Sequence, residues 1–218
     1  MKGRFSNRIL SPLLSICLAL PSVDCALTSK AEVVKIRYFC PELLAASHVD
    51  LHRKSTGAWS SEVKLGRVSS GPNLRERIAY RTTVYELKYY DHYRWTERPE
   101  SYMRREITYA LLSNGSLRRV LSNTSPTLDV DLLDFEELYL PTSHAVRIRL
   151  NMVVTQGTEV LFERMLMVES PVVGAAPEID IVVAAMATAL KAASVQIADH
   201  VATVLRKKDI EQLKLVRP

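Results

Sequence analysis

Two histidines with an acidic residue between them are the first candidates for chemistry in this sequence. His48 and His52 are four residues apart and flank Asp50. On a helix, this spacing would bring both imidazoles to one metal ion. The segment has no helical pattern and no third ligand nearby, so solvated loop histidines are the favoured interpretation. No metal site is predicted here.

Three aspartates form a second group of candidates. Asp129, Asp131 and Asp134 alternate with apolar residues, whereas a calcium loop needs glycine and closely packed oxygen ligands. The alternation is typical of the solvated side of a half-buried strand. Asp91 and His92 are neighbours in a predicted strand and should point to opposite faces, so they make a poor catalytic couple.

The sequence also lacks the motifs that mark common catalytic mechanisms. It contains no Gly-x-Ser-x-Gly nucleophile elbow, no Walker loop for nucleotide phosphates and no His-Glu-x-x-His zinc motif. We therefore predict no catalytic residue and no cofactor, and the protein is not expected to be an enzyme.

The net charge of the chain is concentrated at its two ends. The whole chain carries +5, residues 1–25 carry a net +2 and residues 206–218 a net +3, so residues 26–205 are neutral. A nucleic-acid-binding domain needs a basic face against the phosphates, so nucleic-acid binding is not predicted. The basic tail at 206–218 is interpreted as a solvated end, with anionic lipid headgroups as its alternative partner.

Residues 1–25 are expected to be an export signal. Lys2, Arg4 and Arg8 form a basic start, and residues 9–20 follow without a charge. This is the plan of a secretory signal. The apolar run is shorter than the roughly 20 residues that a membrane-spanning helix needs.

The cysteines leave several endings of the signal open. Lipidation at Cys25 is favoured, although Asp24 fits a lipoprotein cleavage sequence poorly. Lipidation at Cys17 and cleavage without lipidation are the alternatives. If Cys25 carries lipid, Cys40 has no partner; otherwise a Cys25–Cys40 disulfide is open in an oxidising compartment.

Alternation of apolar and polar residues predicts the strands. They are expected over residues 33–39, 63–68, 78–80, 83–90, 128–132, 146–154 and 160–168. The last two are joined at Gln156 and Gly157 and should form a long antiparallel hairpin with one buried face.

Two helices complete the predicted fold. The first starts near Trp95, with Thr96 as its N-cap and Pro99 in its first turn, and stops at Asn114. The second covers residues 178–205 and has an alanine-rich apolar stripe, which should lie close against a sheet. The prediction for 26–205 is an α+β domain: a mixed, mainly antiparallel sheet, one mid-chain helix and a long C-terminal helix packed on one face.

Aromatic residues are concentrated between residues 80 and 95. Cross-strand aromatic pairs are the ordinary interpretation, and an exposed patch for a partner protein is the functional alternative. The candidate interface residues are Tyr80, Arg81, Tyr93, Arg94 and Trp95. On this alternative, Trp95→Ala is expected to weaken partner binding more than folding.

Four sequence features together resemble a known family. They are the export signal ending near a cysteine before Arg37-Tyr38-Phe39, the Ile78-Ala79-Tyr80-Arg81 segment, residues 93–99 leading into a helix, and the Asp-rich strand with its hairpin and closing helix. This order is similar to that of the auxiliary lipoproteins of bacterial ABC-type envelope transport systems, the paraquat-inducible group that accompanies MCE-domain proteins.

The resemblance implies a function without catalysis. Such a protein would dock beside an MCE-domain protein and ABC transporter subunits in the periplasm, held to the outer or inner membrane by its lipid, and would assist movement of lipids or other hydrophobic compounds between membranes. Homo-oligomers are also compatible with this class. The rival interpretations are a soluble lipid carrier, which needs a large apolar cavity, and an envelope enzyme, which needs a convergent polar pocket.

Overall fold

The computed structural model of the chain describes residues 35–42, 61–141, 143–174 and 178–216. The predicted export signal, Cys17, Cys25 and the histidine pair at 48 and 52 lie outside these residues. The described part contains, in order, β1 (Arg37–Phe39), β2 (Ser61–Ser70), β3 (Arg77–Arg81), β4 (Leu87–Trp95), α1 (Pro99–Ser113), β5 (Leu117–Arg119), β6 (Thr127–Leu140), β7 (Ser143–Gln156), β8 (Glu159–Pro171) and α2 (Ile179–Val216).

The strands form one mixed sheet around β6. On one side of β6, β7 and β8 follow in antiparallel order. On the other side, β6 pairs in parallel with two strands, β2 along its first half and β3 along its second half. β5 extends the sheet beyond β2, while β4 and β1 extend it beyond β3. One long strand therefore organises two branches of the sheet.

A bulge near the middle of β6 separates these two halves. The register with β7 shifts between Leu132 and Asp134, so Leu133 is an extra residue. Because side chains alternate along a strand, this insertion reverses which residues face the helices. Leu132 faces them before the bulge, and Glu137, opposite Val146, faces them after it. Asp134 lies on the other side.

Helix α2 covers one side of the sheet. Alternate residues of β7 are buried on this side: Val146, Ile148, Leu150, Met152 and Val154. The buried apolar stripe of α2, which packs on β7, β8 and α1, consists of Val182, Met186, Ala189, Leu190, Ala193, Ile197 and Val201. Ala189 and Ala193 are fully buried, which is consistent with close approach of the helix to the sheet. By length and composition, Ile179–Glu211 could also cross a membrane, but 56% of its most apolar window is buried in this structure.

The opposite side of β6, β7 and β8 carries no helix among the described residues, and we call it the open face. Its residues alternate with the buried ones and include Asp134, Glu136, Arg147, Arg149, Met165, Met167 and Glu169. The molecule therefore has one covered and one open side of the sheet.

The predicted α+β fold class is confirmed, with α1 in mid-chain and α2 on one face. The two longest strand pairings, β6 with β7 and β7 with β8, are antiparallel. Several bounds differ from the prediction: β4 lies at 87–95, β6 continues to residue 140, and the short β5 was not predicted.

The start of α1 corrects the predicted N-cap. Arg98 occupies the N-cap position, without a side-chain hydrogen bond, and Pro99 opens the helix. Thr96 is too far upstream, and its hydroxyl lies 2.7 Å from the hydroxyl of Tyr102. The same Tyr102 oxygen accepts a hydrogen bond from the backbone N–H of Glu97 at 2.8 Å. Thr96 therefore fixes the chain before the helix.

Helix α2 continues beyond its predicted end near residue 205, through the segment expected to be a solvated tail. Arg206 donates to the hydroxyl of Ser116 at 2.8 Å, and Lys208 donates to the Gln156 side chain at 2.6 Å. The Ser61 hydroxyl donates to Asp209 at 2.6 Å. These contacts hold the last turns against the start of β2 and the turn between β7 and β8.

Candidate functional site

Trp95 is a core residue, which corrects its place in the predicted interface. Its side chain is 1% exposed. The ring packs edge-on against Phe135, with centroids 5.4 Å apart, and against Tyr102, with centroids 6.4 Å apart. Because a partner cannot reach this ring in the folded protein, Trp95→Ala should act on folding first.

Two tyrosines of the predicted interface belong to a row of aromatic rings, which we call the aromatic ladder. The ring centroids are 5.6 Å apart between Phe39 and Tyr93, 5.2 Å between Tyr93 and Tyr90, and 4.7 Å between Tyr90 and Tyr80. The rings cross β1, β4 and β3, and Tyr80, Tyr90 and Tyr93 are half-buried. Such tilted and edge-on pairs stabilise neighbouring strands.

The ladder ends at a buried carboxylate that the sequence did not reveal. Glu137 is fully buried. The Tyr90 hydroxyl donates to Glu137 Oε2 at 2.6 Å, and His144 Nε2 lies 2.6 Å from Glu137 Oε1. Burial and this hydrogen bond raise the pKa of Tyr90 above its ordinary value of 10.0. Both oxygens of Glu137 are therefore satisfied, as a buried carboxylate requires.

Arg81 of the predicted interface lies on the other side of the sheet from Tyr80. Its Nε is 2.8 Å from Glu136 Oε1 and 2.9 Å from Oε2. Burial raises the pKa of Glu136 above the ordinary 4.5, and Arg81 opposes this rise. The neighbours Glu136 and Glu137 therefore have separate partners on opposite sides of the sheet.

Arg94, the remaining predicted interface residue, is held by its own strand. Its Nη1 donates to the carbonyl oxygens of Tyr90 and Tyr93, both at 2.8 Å. Arg94 pairs with Tyr38 in register and alternates with the buried pair of Phe39 and Trp95. It therefore lies on the same side of the sheet as Arg81, and the five predicted residues do not form one patch.

The open face carries matched charges. Arg149 Nε lies 2.7 Å from Asp134, and Arg147 lies 2.7 Å from Glu169. Toward the edge strand β8, Met165 and Met167 expose more than half of their side-chain surface. The result is a sheet surface of paired charges beside two flexible apolar side chains.

Asp129 and Asp131 have structural partners on β2. The Asp129 carboxylate accepts from the backbone N–H of Arg67 at 2.5 Å, and Asp131 accepts from the Ser69 hydroxyl at 3.0 Å. A Cβ atom on Gly66 would collide with the Asp129 carboxylate, so this close approach needs glycine. Among the described residues, no three His, Cys, Asp or Glu side chains are placed to hold a metal ion.

Asp91 and His92, which the sequence analysis considered as a catalytic pair, do not interact with each other in the structure. Asp91 forms an ion pair with Arg77 at 3.4 Å, and both Asp91 and His92 are exposed on β4. No hydrogen bond joins their side chains in the described part of the chain.

An open pocket of about 560 Å³ lies where β3 ends and β6 turns into β7. Its lining consists of Thr82, Tyr139, Leu140, Pro141, Ser143 and His144. His144 connects the pocket to the buried Glu137. Apart from His144, the only titratable side chain in the lining is Tyr139, and the other lining residues are apolar or carry a hydroxyl group.

Comparison with known proteins identifies the family of this chain. A family model described as the ABC-type transport auxiliary lipoprotein component matches residues 49–198. The chain therefore belongs to the family of ABC-type transport auxiliary lipoprotein components, as the sequence resemblance predicted. A search of curated proteins finds no match.

Two solved structures share the fold. The protein XCC0632 from Xanthomonas campestris, of the DUF330 family, is 18% identical with a TM-score of 0.64, covering 79% of this chain and 99% of that one. An uncharacterised protein is 15% identical with a TM-score of 0.59, covering 77% of this chain and 99% of that one. At these identities, the likeness concerns the fold.

Proposed function

We propose that this protein is a non-enzymatic accessory subunit of a bacterial envelope ABC-type transport system. It docks to an MCE-domain partner in the periplasm and assists transfer of lipids or hydrophobic compounds between membranes. Membership of the transport auxiliary family carries this proposal. The pairing of buried acids with arginine, tyrosine and histidine supports a structural role for these groups.

Attachment to a membrane through a lipid on Cys25 is part of the same proposal. The family is one of lipoproteins, and Cys25 follows the apolar run of the export signal. One acyl chain binds a bilayer only marginally, whereas two or three chains give a stable anchor. The lipid would keep the domain beside its membrane-bound partners.

The open face is the docking surface that we favour. Protein interfaces combine apolar contacts with hydrogen-bonding groups at their rim. Met165 and Met167 supply exposed, adaptable apolar side chains, and Arg147 with Glu169 supplies polar groups beside them. Arg81 and Arg94, two residues of the predicted interface, lie on this side of the sheet.

Binding to a purified MCE-domain protein from the same envelope tests this proposal. The double variant Met165→Asp/Met167→Asp should bind at least about tenfold more weakly, because two charges replace apolar contacts. The matched control is Val195→Asp, which changes an exposed apolar residue of α2 away from the open face. Equal affinity of the wild type and both variants would remove the open face as the docking surface, and no binding by any of them would remove the MCE partner.

The soluble lipid carrier is the weaker candidate. A carrier needs a cavity that takes up most of its ligand. The α2 side of the sheet is instead filled by the fully buried Ala189, Ala193 and Ile197, which weighs against a lipid-sized space at that interface.

A further inference from the structure

Three connections meet at one end of the sheet, which we call the loop end. Arg81 at the end of β3 lies beside Leu138 near the end of β6, so the β3–β4 loop adjoins the β6–β7 turn. The last residue of β8, Pro171, pairs with Ala145, and the N–H of Val172 donates to His144 at 3.0 Å. The connection from β8 to α2 therefore leaves from the same end.

The loop end carries exposed apolar side chains at its tips. Residues 82–85, 139–143 and 172–174 contain no Asp, Glu, Lys or Arg, and the exposed Glu86 that follows the first of these segments forms an ion pair with Lys88 at 3.0 Å. The exposed fractions are 93% for Tyr85, 79% for Val173, 66% for Val84 and 49% for Tyr139. Single exposed apolar residues are ordinary on a protein surface, but their convergence from three separate connections is typical of an interaction site.

The far end of the sheet has a different character. The last turns of α2 lie there with Arg206, Lys207 and Lys208, and the neighbouring β5 carries Arg118 and Arg119. Within the described domain, one end of the sheet therefore has apolar tips and the other end is basic.

The direction of β1 relates the loop end to the segment that carries Cys25. β1 runs parallel to β4, and β4 starts at Leu87, beside Arg81 at the loop end. The chain therefore enters β1 from the loop-end side. Ten peptide steps separate Cys25 from Lys35, and a fully extended chain of that length spans at most about 36 Å. A lipid at Cys25 would thus keep Lys35, just before β1, within that distance of the bilayer, on the side from which the chain enters β1.

We propose that the loop end is a second membrane contact, in which Val84, Tyr85 and Val173 enter the headgroup region of the bilayer. This inference rests on the lipid anchor of the proposed function. Tyrosine suits such a surface because its ring is apolar and its hydroxyl stays hydrated. Since the tips are uncharged, binding depends on apolar burial and not on anionic lipid. The contact orients the domain so that its basic end points away from the anchoring membrane.

Fluorescence quenching in vesicles tests the proposal. The membrane-purified protein, first checked for lipid on Cys25 by intact mass, is reconstituted in phosphatidylcholine vesicles with and without bromine on the acyl chains. We expect brominated lipid to quench the emission added by Tyr85→Trp by a third or more, after subtraction of the parent protein. The control is Leu121→Trp, an exposed site outside the loop end, which should be quenched little.

The outcomes separate this inference from the anchor. Lipid on Cys25 with equal, weak quenching at both sites overturns the membrane contact alone. If the mature protein carries no lipid, it is added to the vesicles from outside, and quenching of the Tyr85→Trp variant then supports the contact while the anchor fails. Quenching of the Tyr85→Trp variant that appears only after anionic lipid is added to the phosphatidylcholine also overturns the proposal. The same holds if its emission changes only on addition of the purified MCE-domain protein and not with brominated lipid.

Discussion

Two adjacent acidic residues of β6 lie on opposite sides of the sheet. Glu136 faces the open side with Arg81, and Glu137 faces the helix side with Tyr90 and His144. Both are almost completely buried. A carboxylate in such a place needs charged or hydrogen-bonding partners, so the surrounding polar residues are held in fixed positions.

Replacement of Trp95 by alanine should destabilise the fold. The ring is buried between α1 and the sheet, and loss of a buried aromatic side chain costs about 3–5 kcal/mol. Urea denaturation measures the free energy of unfolding, with Tyr85→Ala as an exposed control that should change it by less than about 0.5 kcal/mol. Unchanged stability of Trp95→Ala together with weaker partner binding would restore Trp95 to the interface.

Replacement of Glu136 by glutamine should change the pH dependence of stability. Burial raises the pKa of Glu136 above 4.5 in the folded state, so the folded protein holds this proton more tightly than the unfolded chain. Ionisation of Glu136 therefore lowers the stability of the wild type as the pH rises from about 4.5 through the folded-state pKa. Glu136→Gln lacks this loss.

The measurement is the difference in free energy of unfolding between wild type and Glu136→Gln, followed from about pH 4 to about pH 7. The difference should move in favour of the variant as the pH rises. A difference that moves in favour of the wild type would show that Arg81 outweighs burial at this site.

The sequence could predict only part of the candidate site. Aromatic composition drew attention to residues 80–95, but it could not tell the buried Trp95 from the half-buried Tyr80 and Tyr93, since all three suit a strand. Glu137 was missed because its partners are 47 residues upstream and 7 residues downstream in the chain. Only the sheet pairing brings them together.

At the scale of elements, regular periodicity was informative and irregularity was not. The strands β7 and β8, helix α1 and the start of α2 follow clean patterns, so they were predicted near their observed places, whereas the continuation of α2 to Val216 was not predicted. The bulge at Leu133 interrupts the alternation in β6, which is why the strand was expected to end at residue 132. The parallel pairings of β6 join segments far apart in sequence and leave no local signal.

The alanines of α2 should be sensitive to added volume. Ala193 is fully buried, whereas Ala184 is exposed on the same helix. Ala193→Leu should lower the free energy of unfolding by about 1–3 kcal/mol, because a closely packed interface cannot accommodate the larger side chain. Ala184→Leu should change it by less than about 0.5 kcal/mol. A well-tolerated Ala193→Leu would indicate spare volume between α2 and the sheet and would favour the lipid carrier.

At the scale of the whole molecule, the two sides and two ends of the sheet have different surfaces. The helices cover one side, the open face carries paired charges, the loop end is apolar, and the far end is basic. A docking subunit with this polarity can present its open face to a partner while its loop end rests on the bilayer. The two proposed contacts therefore do not compete for the same residues.

The branching of the sheet at β6 affects when the chain can fold during its synthesis. β2 and β3 precede β6 in the chain, and pairs such as Ser69 with Asp131 are 62 residues apart. Until β6 is available, β2 and β3 each lack one of their two neighbours in the native sheet, although β5 and β4 already precede β6 in the chain. The hairpins of β6, β7 and β8 are local and should form early, since long-range pairing is slow. The first half of the domain can therefore complete its part of the sheet only after the second half has been synthesised.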